Sequence, residues 1–425
     1  MTTVWVPCDA AARAVGADEV AEAFAAAGAT VRRNGSRGML WLEPLVEVET
    51  DAGRIGYAAV RPQYAGDILA GNHVDLGVVE DHPWLAGQHR VTFTRVGRHE
   101  PTDLAAYRSD GGYAGLERAL TLDPADVVAE VTTSGLRGRG GAGFPTGIKW
   151  ETVRTAASDL KFVCCNADEG DSGTFADRML LEGDPFSLLE GMTIAAYAVG
   201  ASEGYVYVRS EYPDAIATLR RAIDVARAGG WLGRHIAGRE GFTFDLHVRA
   251  GAGAYICGEE TSMLDSLEGK RGEVRAKPPI PALVGLFGQP TVVNNVLSLA
   301  TVPMILADGG QAYAALGTGR SRGTQVFQLA GNVKQGGIVE ADFGITLREL
   351  IEGYGGGTRS GRPLKAAQVG GPLGAYVAGD QLDLPMDYEA FAEAGAMIGH
   401  GGIVVFDDTM DAADMARFAM EFCAK

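Results

Sequence analysis

The segment Ser134-Gly-Leu-Arg-Gly-Arg-Gly-Gly-Ala-Gly-Phe-Pro-Thr-Gly-Ile-Lys-Trp150 concentrates the residues best suited to holding a ligand. Glycines at 138, 140, 141 and 143 let the main chain approach a flat or anionic group with no Cβ in the way. Arg137, Arg139 and Lys149 add positive charge, and Phe144 adds a ring. A glycine run can equally be a tight structural loop; the flanking bases and Phe144 favour a ligand. It is not a Walker loop, because no Gly-Lys-Ser/Thr follows, and it holds no strict G-x-G-x-x-G. The second candidate is Cys165-Asn-Ala-Asp-Glu-Gly-Asp-Ser-Gly-Thr174, which follows an apolar strand. Polar side chains at a strand's C-terminal end sit where open α/β sheets bind ligands. Asn166 offers a donor and an acceptor to a heterocycle, and Asp168 and Glu169 accept from ribose hydroxyls or an amide. By itself this stretch reads as an acidic surface turn; beside the glycine loop it reads as part of a site.

Gly251-Ala-Gly-Ala-Tyr-Ile-Cys-Gly-Glu-Glu-Thr261 leads into a helix. Gly258 precedes Glu259 and Glu260, acids that suit a helix N-terminus, so a glycine turn with capping acids is the plainer alternative. Cys257 reads as a small buried residue, with no His or Asn partner near it in sequence. Arg275-Ala-Lys277-Pro-Pro-Ile-Pro281 is a rigid extended segment. Pro290-Thr-Val-Val-Asn-Asn-Val296 brings Asn294 and Asn295, which reach a ring or phosphate or simply hold a turn.

These motifs need a frame. Residues 3–8 read as a buried strand, Asp18 to Ala27 as a helix closed by Gly28, and Met39–Leu42, Leu45–Glu49 and Ile55–Val60 as strands. With a helix at Tyr64–Ala70 they make a small β-α-β-β-β-α sandwich over residues 1–79. Residues 80–123, with His82, Pro83, His89, His99, Pro101 and Gly111-Gly112, read as a linker. Over 124–320, helices at 125–131, 186–198, 215–228 and 259–267 alternate with strands at 162–165, 205–208 and 244–248. That alternation predicts a mainly parallel sheet covered on both faces. Residues 321–386 read as strands at Thr324–Leu329 and Gly337–Glu340, a helix at Thr346–Glu352 and a strand at Ala366–Gly370, the pattern of a ubiquitin-like β-grasp. Residues 387–425, with Gly402–Phe406 and an amphipathic Ala412–Phe422, read as the start of a C-terminal helical segment.

Composition narrows the function classes. The 425 residues carry 37 Lys plus Arg against 54 Asp plus Glu, a formal charge of −17. A chain this acidic is unsuited to non-specific binding of nucleic acid or an anionic membrane, which need basic clusters. Hydrophobic residues at 46 % and charged ones at 21 % exclude disorder. No apolar run reaches the roughly 20 residues of a membrane span, and the N-terminus lacks a signal peptide's layout, so a cytoplasmic location is expected. Five scattered cysteines, Cys8, Cys164, Cys165, Cys257 and Cys423, form neither a disulfide framework nor a metal spacing.

Taken in order, Arg-Gly-Arg-Gly-Gly-Ala-Gly-Phe-Pro-Thr-Gly, Cys-Asn-Ala-Asp-Glu, Gly-Ala-Gly-Ala-Tyr-Ile-Cys-Gly-Glu-Glu-Thr and Pro-Thr-x-x-Asn-Asn-Val resemble the FMN-containing, NADH-oxidising flavoprotein subunit of respiratory complex I. They are similar also to its relatives in NAD-dependent hydrogenases and molybdenum formate dehydrogenases. The likeness covers about residues 125–425. It implies that Gly138, Gly140, Gly141 and Lys149, then Asn166, Asp168 and Glu169, then Tyr255, Gly258 and Glu259, then Asn294 and Asn295 hold FMN. It places Phe144, Asp171, Glu260 and Lys277 beside NAD(H). The flavin performs the hydride transfer, so no catalytic acid or base is expected from the protein. The N-terminal unit resembles the thioredoxin-like 2Fe–2S ferredoxin of these systems. Gly38-Met-Leu-Trp-Leu-Glu-Pro-Leu-Val-Glu-Val is similar to its last cluster loop, but the cysteines are replaced and a degenerate, cluster-less domain is implied.

Three departures stand out. Asp171 replaces a longer Glu of the family. Ile280 and Thr152 stand where an aromatic clamp is expected, leaving Phe144 as the one ring. The family also continues into a Cys-x-x-Cys-x-x-Cys segment for a 4Fe–4S cluster; this chain reaches only Phe422-Cys-Ala-Lys425, so a truncated sequence is expected and no metal ligands are assigned in the chain as given. The implied function is a diaphorase subunit, closest to the beta subunit of NAD-dependent molybdenum formate dehydrogenase. Its implied partners are a small 2Fe–2S thioredoxin-like subunit and a large molybdenum subunit, with no nucleic acid and no membrane. Alternatives are the diaphorase of an NAD-reducing hydrogenase, complex I itself, and, in another class, an assembly subunit that has lost its cofactor.

Overall fold

The computed structural model describes residues 2–424. Near the N-terminus come β1 (Thr3–Pro7), α1 (Ala10–Arg13), α2 (Ala17–Ala26), β2 (Thr30–Asn34), β3 (Val46–Thr50), β4 (Gly53–Tyr57) and α3 (Ala65–Leu69). The sheet order is β2-β1-β3-β4, with β1 and β2 parallel and the other pairs antiparallel. Val4, Val6, Val20, Phe24, Val46 and Ile68 form its core. Two elements differ from the sequence reading. Thr30–Asn34 is a strand although it carries two arginines, because it lies at the sheet edge and only Asn34 is buried. Leu40–Leu42 is one turn of 3₁₀ helix rather than a strand. Its apolar run is satisfied from outside: Met39 joins the core of the third unit, and Trp41 meets Trp84 edge to face at 4.4 Å.

Residues 80–123 are not a linker. They form α4 (Pro83–Ala86), α5 (Leu104–Ser109) and α6 (Ala114–Ala119). Phe93, Val96, Tyr107, Tyr113 and Leu116 are buried in the main core, and Trp84 in that of the third unit. The buried carboxylate of Glu190 accepts from Tyr107 Oη at 2.5 Å, Tyr113 N at 2.7 Å and Leu116 N at 2.9 Å. One helical stretch is legible in the sequence, near Tyr113 to Leu120, where α6 lies; the other large apolar residues, spaced irregularly among prolines and histidines, give no period to read.

The central unit contains α7 (Pro124–Thr133), α8 (Thr146–Thr155), β5 (Phe162–Ala167), α9 (Ala176–Gly183), α10 (Pro185–Val199), β6 (Glu203–Val208), α11 (Pro213–Ala228), β7 (Gly233–Arg234), β8 (Thr243–Ala250), α12 (Glu260–Leu267), β9 (Thr291–Asn295), α13 (Val296–Asp308) and α14 (Gly310–Ala314). Its sheet runs β7-β8-β6-β5-β9, parallel except for the two-residue edge strand β7. Every residue of α10 is buried, as an all-round apolar helix requires. A Cβ at Gly191 would stand 1.9 Å from the Leu299 carbonyl oxygen, so glycine there lets α10 and α13 touch at the main chain.

A short ribbon, β10 (Gly317–Thr318) and β11 (Ser321–Arg322), leads to β12 (Thr324–Gly331), β13 (Gly337–Asp342), a π-helical turn at Glu349–Tyr354, β14 (Leu364–Val369), β15 (Ala375–Val377), α15 (Tyr388–Glu393), β16 (Gly402–Asp407) and α16 (Ala412–Cys423). The order β13-β12-β16-β14-β15 corrects the expected boundary near residue 387. β16 lies parallel to β12 and antiparallel to β14, in the middle of the sheet. Ile403-Val-Val-Phe shows no polar alternation, as a central strand covered on both faces demands. α16 has no buried residue; Phe418 and Met420 are exposed, and the Phe422 ring meets Tyr255 at 4.7 Å.

Candidate functional site

The cavity of interest opens at the C-terminal ends of β5 and β9, in the place where parallel sheets leave a crevice. Parallel register puts Cys165 beside Asn294 and Asn166 beside Asn295. Gly138, Gly140, Phe144, Lys149, Asn166, Gly258, Glu259, Glu260, Lys277, Asn294 and Asn295 all line it, around a volume of about 430 Å³. Residues from five separate motifs are therefore brought to one place. Thr152 and Ile280 line it too, beside Phe144, so a single ring serves that wall.

The glycine loop is closed on itself. Gly138 N donates to Phe144 O at 2.9 Å, and Arg137 Nε donates to Gly143 O at 2.6 Å. A Cβ on Gly138 would meet nothing nearer than Phe144 O at 3.7 Å, whereas one on Gly140 would stand 2.9 Å from Asn295 Cβ. The loop then enters α8, where Lys149 and Thr152, three residues apart, share the face toward the cavity. The expectation that Arg137 and Arg139 supply charge to the ligand is corrected. Arg137 pairs with Glu389 at 2.7 Å, and Arg139 is buried, donating to Arg137 O, Tyr313 Oη and Arg322 O. Both guanidinium groups build the loop, and Lys149 is the loop's cation at the cavity.

The polar wall is cross-braced. Asn166 Nδ2 donates to Gly258 O at 2.8 Å, and Trp150 Nε1 to Asn294 Oδ1 at 3.0 Å. Asn295 Oδ1 caps α13 by accepting from Leu297 N at 2.9 Å. Glu259 caps α12 through Thr261 N at 2.8 Å and Ser262 N at 3.0 Å. Lys277 Nζ lies 2.9 Å from Glu259 and 2.8 Å from Glu260, and Lys149 Nζ lies 2.7 Å from Val293 O and 3.4 Å from Glu260. Although partial burial works against it, Glu259 is held below the usual carboxylate range by Thr261 and Lys277. Two lysines thus face two glutamates across the mouth.

Five expected site residues do not line this cavity. Gly141 lies behind the loop, its Cβ position 3.7 Å from Gly399. Asp168 sits beneath Gly258, where burial pushes its carboxyl up to about 6. Tyr255 Oη donates to Asp171 Oδ1 at 2.6 Å, which pairs these two with each other toward α16. Glu169 is buried and accepts from Asp177 N at 3.0 Å, Arg178 N at 3.1 Å and Tyr212 Oη at 3.1 Å. Its carboxylate holds the start of α9. The sequence reading did not single out His400 or Asp177, which meet Glu169 behind the glycine loop. The one signal was a histidine set between Gly399 and Gly401 ahead of an apolar strand.

An open parallel sheet, a glycine-rich loop and a lysine at the strand ends define a nucleotide-cofactor site of the α/β class. Residues 131–304 match the model of the Nuo51 FMN-binding domain. The chain is 48 % identical over 335 residues to NADP-reducing hydrogenase subunit HndC of Solidesulfovibrio fructosivorans, covering 79 % of this chain and 68 % of that one. It is 47 % identical over 320 residues to the F 2 subunit of the NADH-quinone oxidoreductase of Rhizobium meliloti, covering 75 % and 76 %. A crystal structure of an NAD+-reducing [NiFe]-hydrogenase in the air-oxidized state superposes over 98 % of this chain and 71 % of that chain, with TM-score 0.66 and 29 % identity. The chain belongs to the FMN- and NADH-binding flavoprotein family shared by NADH-quinone oxidoreductases and hydrogenases. FMN and NAD(H) are that family's cofactors, and the residues around the cavity fit them. Gly138 leaves its Cβ space to a ligand, and amide side chains and a lysine edge the pocket. Among the described residues no helix is long and apolar enough to cross a membrane.

Proposed function

We propose that this chain is a diaphorase subunit, binding FMN on the 138–144 loop and NAD(H) over it, and handing single electrons to iron–sulfur centres of its complex. FMN supplies the hydride chemistry when bound. The chain's own residues orient and enclose: Gly138 and Gly140 admit the flat ring system, Lys149 offers charge, and Asn166, Asn294 and Asn295 offer amides. Gly258 and Glu259 edge the flavin side, and Glu260 and Lys277 the nucleotide side, with Phe144 as its stacking surface. We read Asp168, Glu169, Asp171 and Tyr255 as supports behind or beside that cavity. The observation that carries this reading is the convergence of five motifs on one cavity at the strand ends. A 4Fe–4S cluster enters the reading only with a native chain that continues past Lys425.

The N-terminal unit is read as a degenerate thioredoxin-like domain and the third unit as a β-grasp, both supported by strand order and direction. A formate dehydrogenase is one setting, with a molybdenum subunit and a small 2Fe–2S subunit as partners. An NAD-reducing hydrogenase is supported as well, because its structure superposes on 98 % of this chain, N-terminal unit included. Fusion of that unit therefore does not discriminate between them. The purified chain is expected to be yellow and to reduce dyes with NADH; a colourless protein that stays inactive after FMN is added would leave an assembly subunit. Co-purification with a molybdenum or a nickel subunit decides the setting.

Phe144 is half exposed at the cavity mouth. Thr152 and Ile280 line the same cavity without a ring, so its loss is not covered by another. Phe144→Ala is expected to raise KM for NADH about 3- to 10-fold at unchanged FMN content, the worth of one stacked pair. Steady-state kinetics against NADH and flavin absorbance give the two readouts.

A further inference from the structure

His400 is buried behind the glycine loop, on the segment that leads into β16. Its Nδ1 lies 2.7 Å from Arg139 O, which can only accept, so Nδ1 carries a proton. Its Nε2 lies 3.1 Å from Asp177 Oδ1 and 3.2 Å from Glu169 Oε1. A bare lone pair there would face two carboxylates, so Nε2 carries a proton too. Asp177 Oδ2 in turn accepts from Asn295 Nδ2 at 2.7 Å, which fixes the carboxamide of a cavity residue at both ends. Arg139 stands between two cavity glycines. A trans peptide sets the Gly140 N–H opposite to the Arg139 C=O, away from His400.

We propose that His400 is a positioning residue for the flavin: as an imidazolium it clamps the Arg139 carbonyl on one side and Glu169 and Asp177 on the other, fixing the Arg139–Gly140 peptide and Asn295 that wall the cavity. This rests on the FMN reading above. The titratable and charged groups around the cluster are Glu169, Asp177, Cys165, Tyr212, Arg178, Arg209 and Arg139. Burial opposes charge on His400, but Asp177 and Glu169 outweigh it and keep the imidazolium well above the ordinary imidazole range. Burial pushes Asp177 up to about 6, which leaves it ionised at neutral pH. The clamp is therefore whole near neutrality and is lost as pH rises through the His400 pKa.

The test is fluorescence titration of FMN into flavin-stripped protein from about pH 7 to about pH 9.5, below the range where lysines and tyrosines ordinarily titrate. Wild-type affinity is expected to hold near neutrality and to fall at the alkaline end. His400→Gln is expected to bind FMN about 10- to 100-fold more weakly at neutral pH, with no alkaline fall, because a buried charged partner is gone. Adding Asp177→Asn to His400→Gln is expected to restore affinity to within about 3-fold of wild type, since the stranded carboxylate is removed and an amide still accepts from Asn295. Asp177→Asn alone, which keeps the histidine, is expected to move the alkaline fall down by about one pH unit or more. It keeps the test informative if His400→Gln does not fold. An unchanged alkaline profile in Asp177→Asn, or a double variant no better than His400→Gln, overturns the proposal. So does a stoichiometric divalent metal that the wild type holds and His400→Gln loses, since a cation would then replace the proton. A wild type that binds no FMN fails the earlier reading instead, which separates the two.

Discussion

Gly138→Val protein is expected to purify colourless while its flavin-free form melts as the flavin-free parent does. The backbone at Gly138 lies outside the left-handed region, and an added Cβ meets only the Phe144 main chain, O at 3.7 Å and N at 3.8 Å, both ordinary contacts. The protein itself therefore tolerates the side chain. The cavity does not, because the methyls take space that the ligand needs; a misfit of this kind weakens FMN by about 100-fold or more. Gly140→Val is a poorer probe, because its Cβ would press on Asn295 Cβ at 2.9 Å and disturb the fold as well. Flavin content on purification, FMN titration and the melting temperature separate the two effects. A Gly138→Val protein that stays yellow at full occupancy would remove the glycine loop from the flavin site.

The second large effect concerns residues 88–96. Glu340 in β13 is fully buried and reaches across to that segment. Its carboxylate accepts from Thr92 N at 2.8 Å, Phe93 N at 2.9 Å and Thr324 Oγ1 at 2.6 Å. Its own backbone accepts from His89 N and donates to Gln88 Oε1. Glu340→Ala strands two buried N–H groups and a hydroxyl, each costing roughly 1–3 kcal/mol, so a loss of about 3–5 kcal/mol is expected. Chemical denaturation reads the total, and amide exchange at Thr92 and Phe93 reads the place. If both stay at wild-type values, residues 80–123 are a detachable connector after all.

The parallel sheet is legible in the sequence because the largely apolar β5 and β6 and the alternating Phe244, Leu246 and Val248 of β8 are separated by long helices. The cavity was legible because glycine, asparagine and acid motifs are sharp local signals. What it hid has physical causes. Thr30–Asn34 is an edge strand and needs no apolar alternation. Leu40–Leu42 is apolar for the sake of a neighbouring unit, so its own geometry was free to be a turn. Gly402–Asp407 lies far along the chain from β12, and local pattern carries no information on which sheet a strand joins. Arg137 and Arg139 look like ligand charges in one dimension, yet loop closure uses both. His400 gave a weak signal because its partners, Glu169 and Asp177, are more than two hundred residues away.

The placement of β16 also fixes an order of events at the ribosome. The hairpin of β12 and β13 and the hairpin of β14 and β15 emerge first, each with one backbone edge facing nothing. At about 5–20 residues per second the earlier edge, the ladder of Gln328 to Gly331, waits about 4 to 15 s for its companion. Nascent chains of this protein accordingly present two open ladders to chaperones or to one another, and β16, synthesised after both, closes them at once.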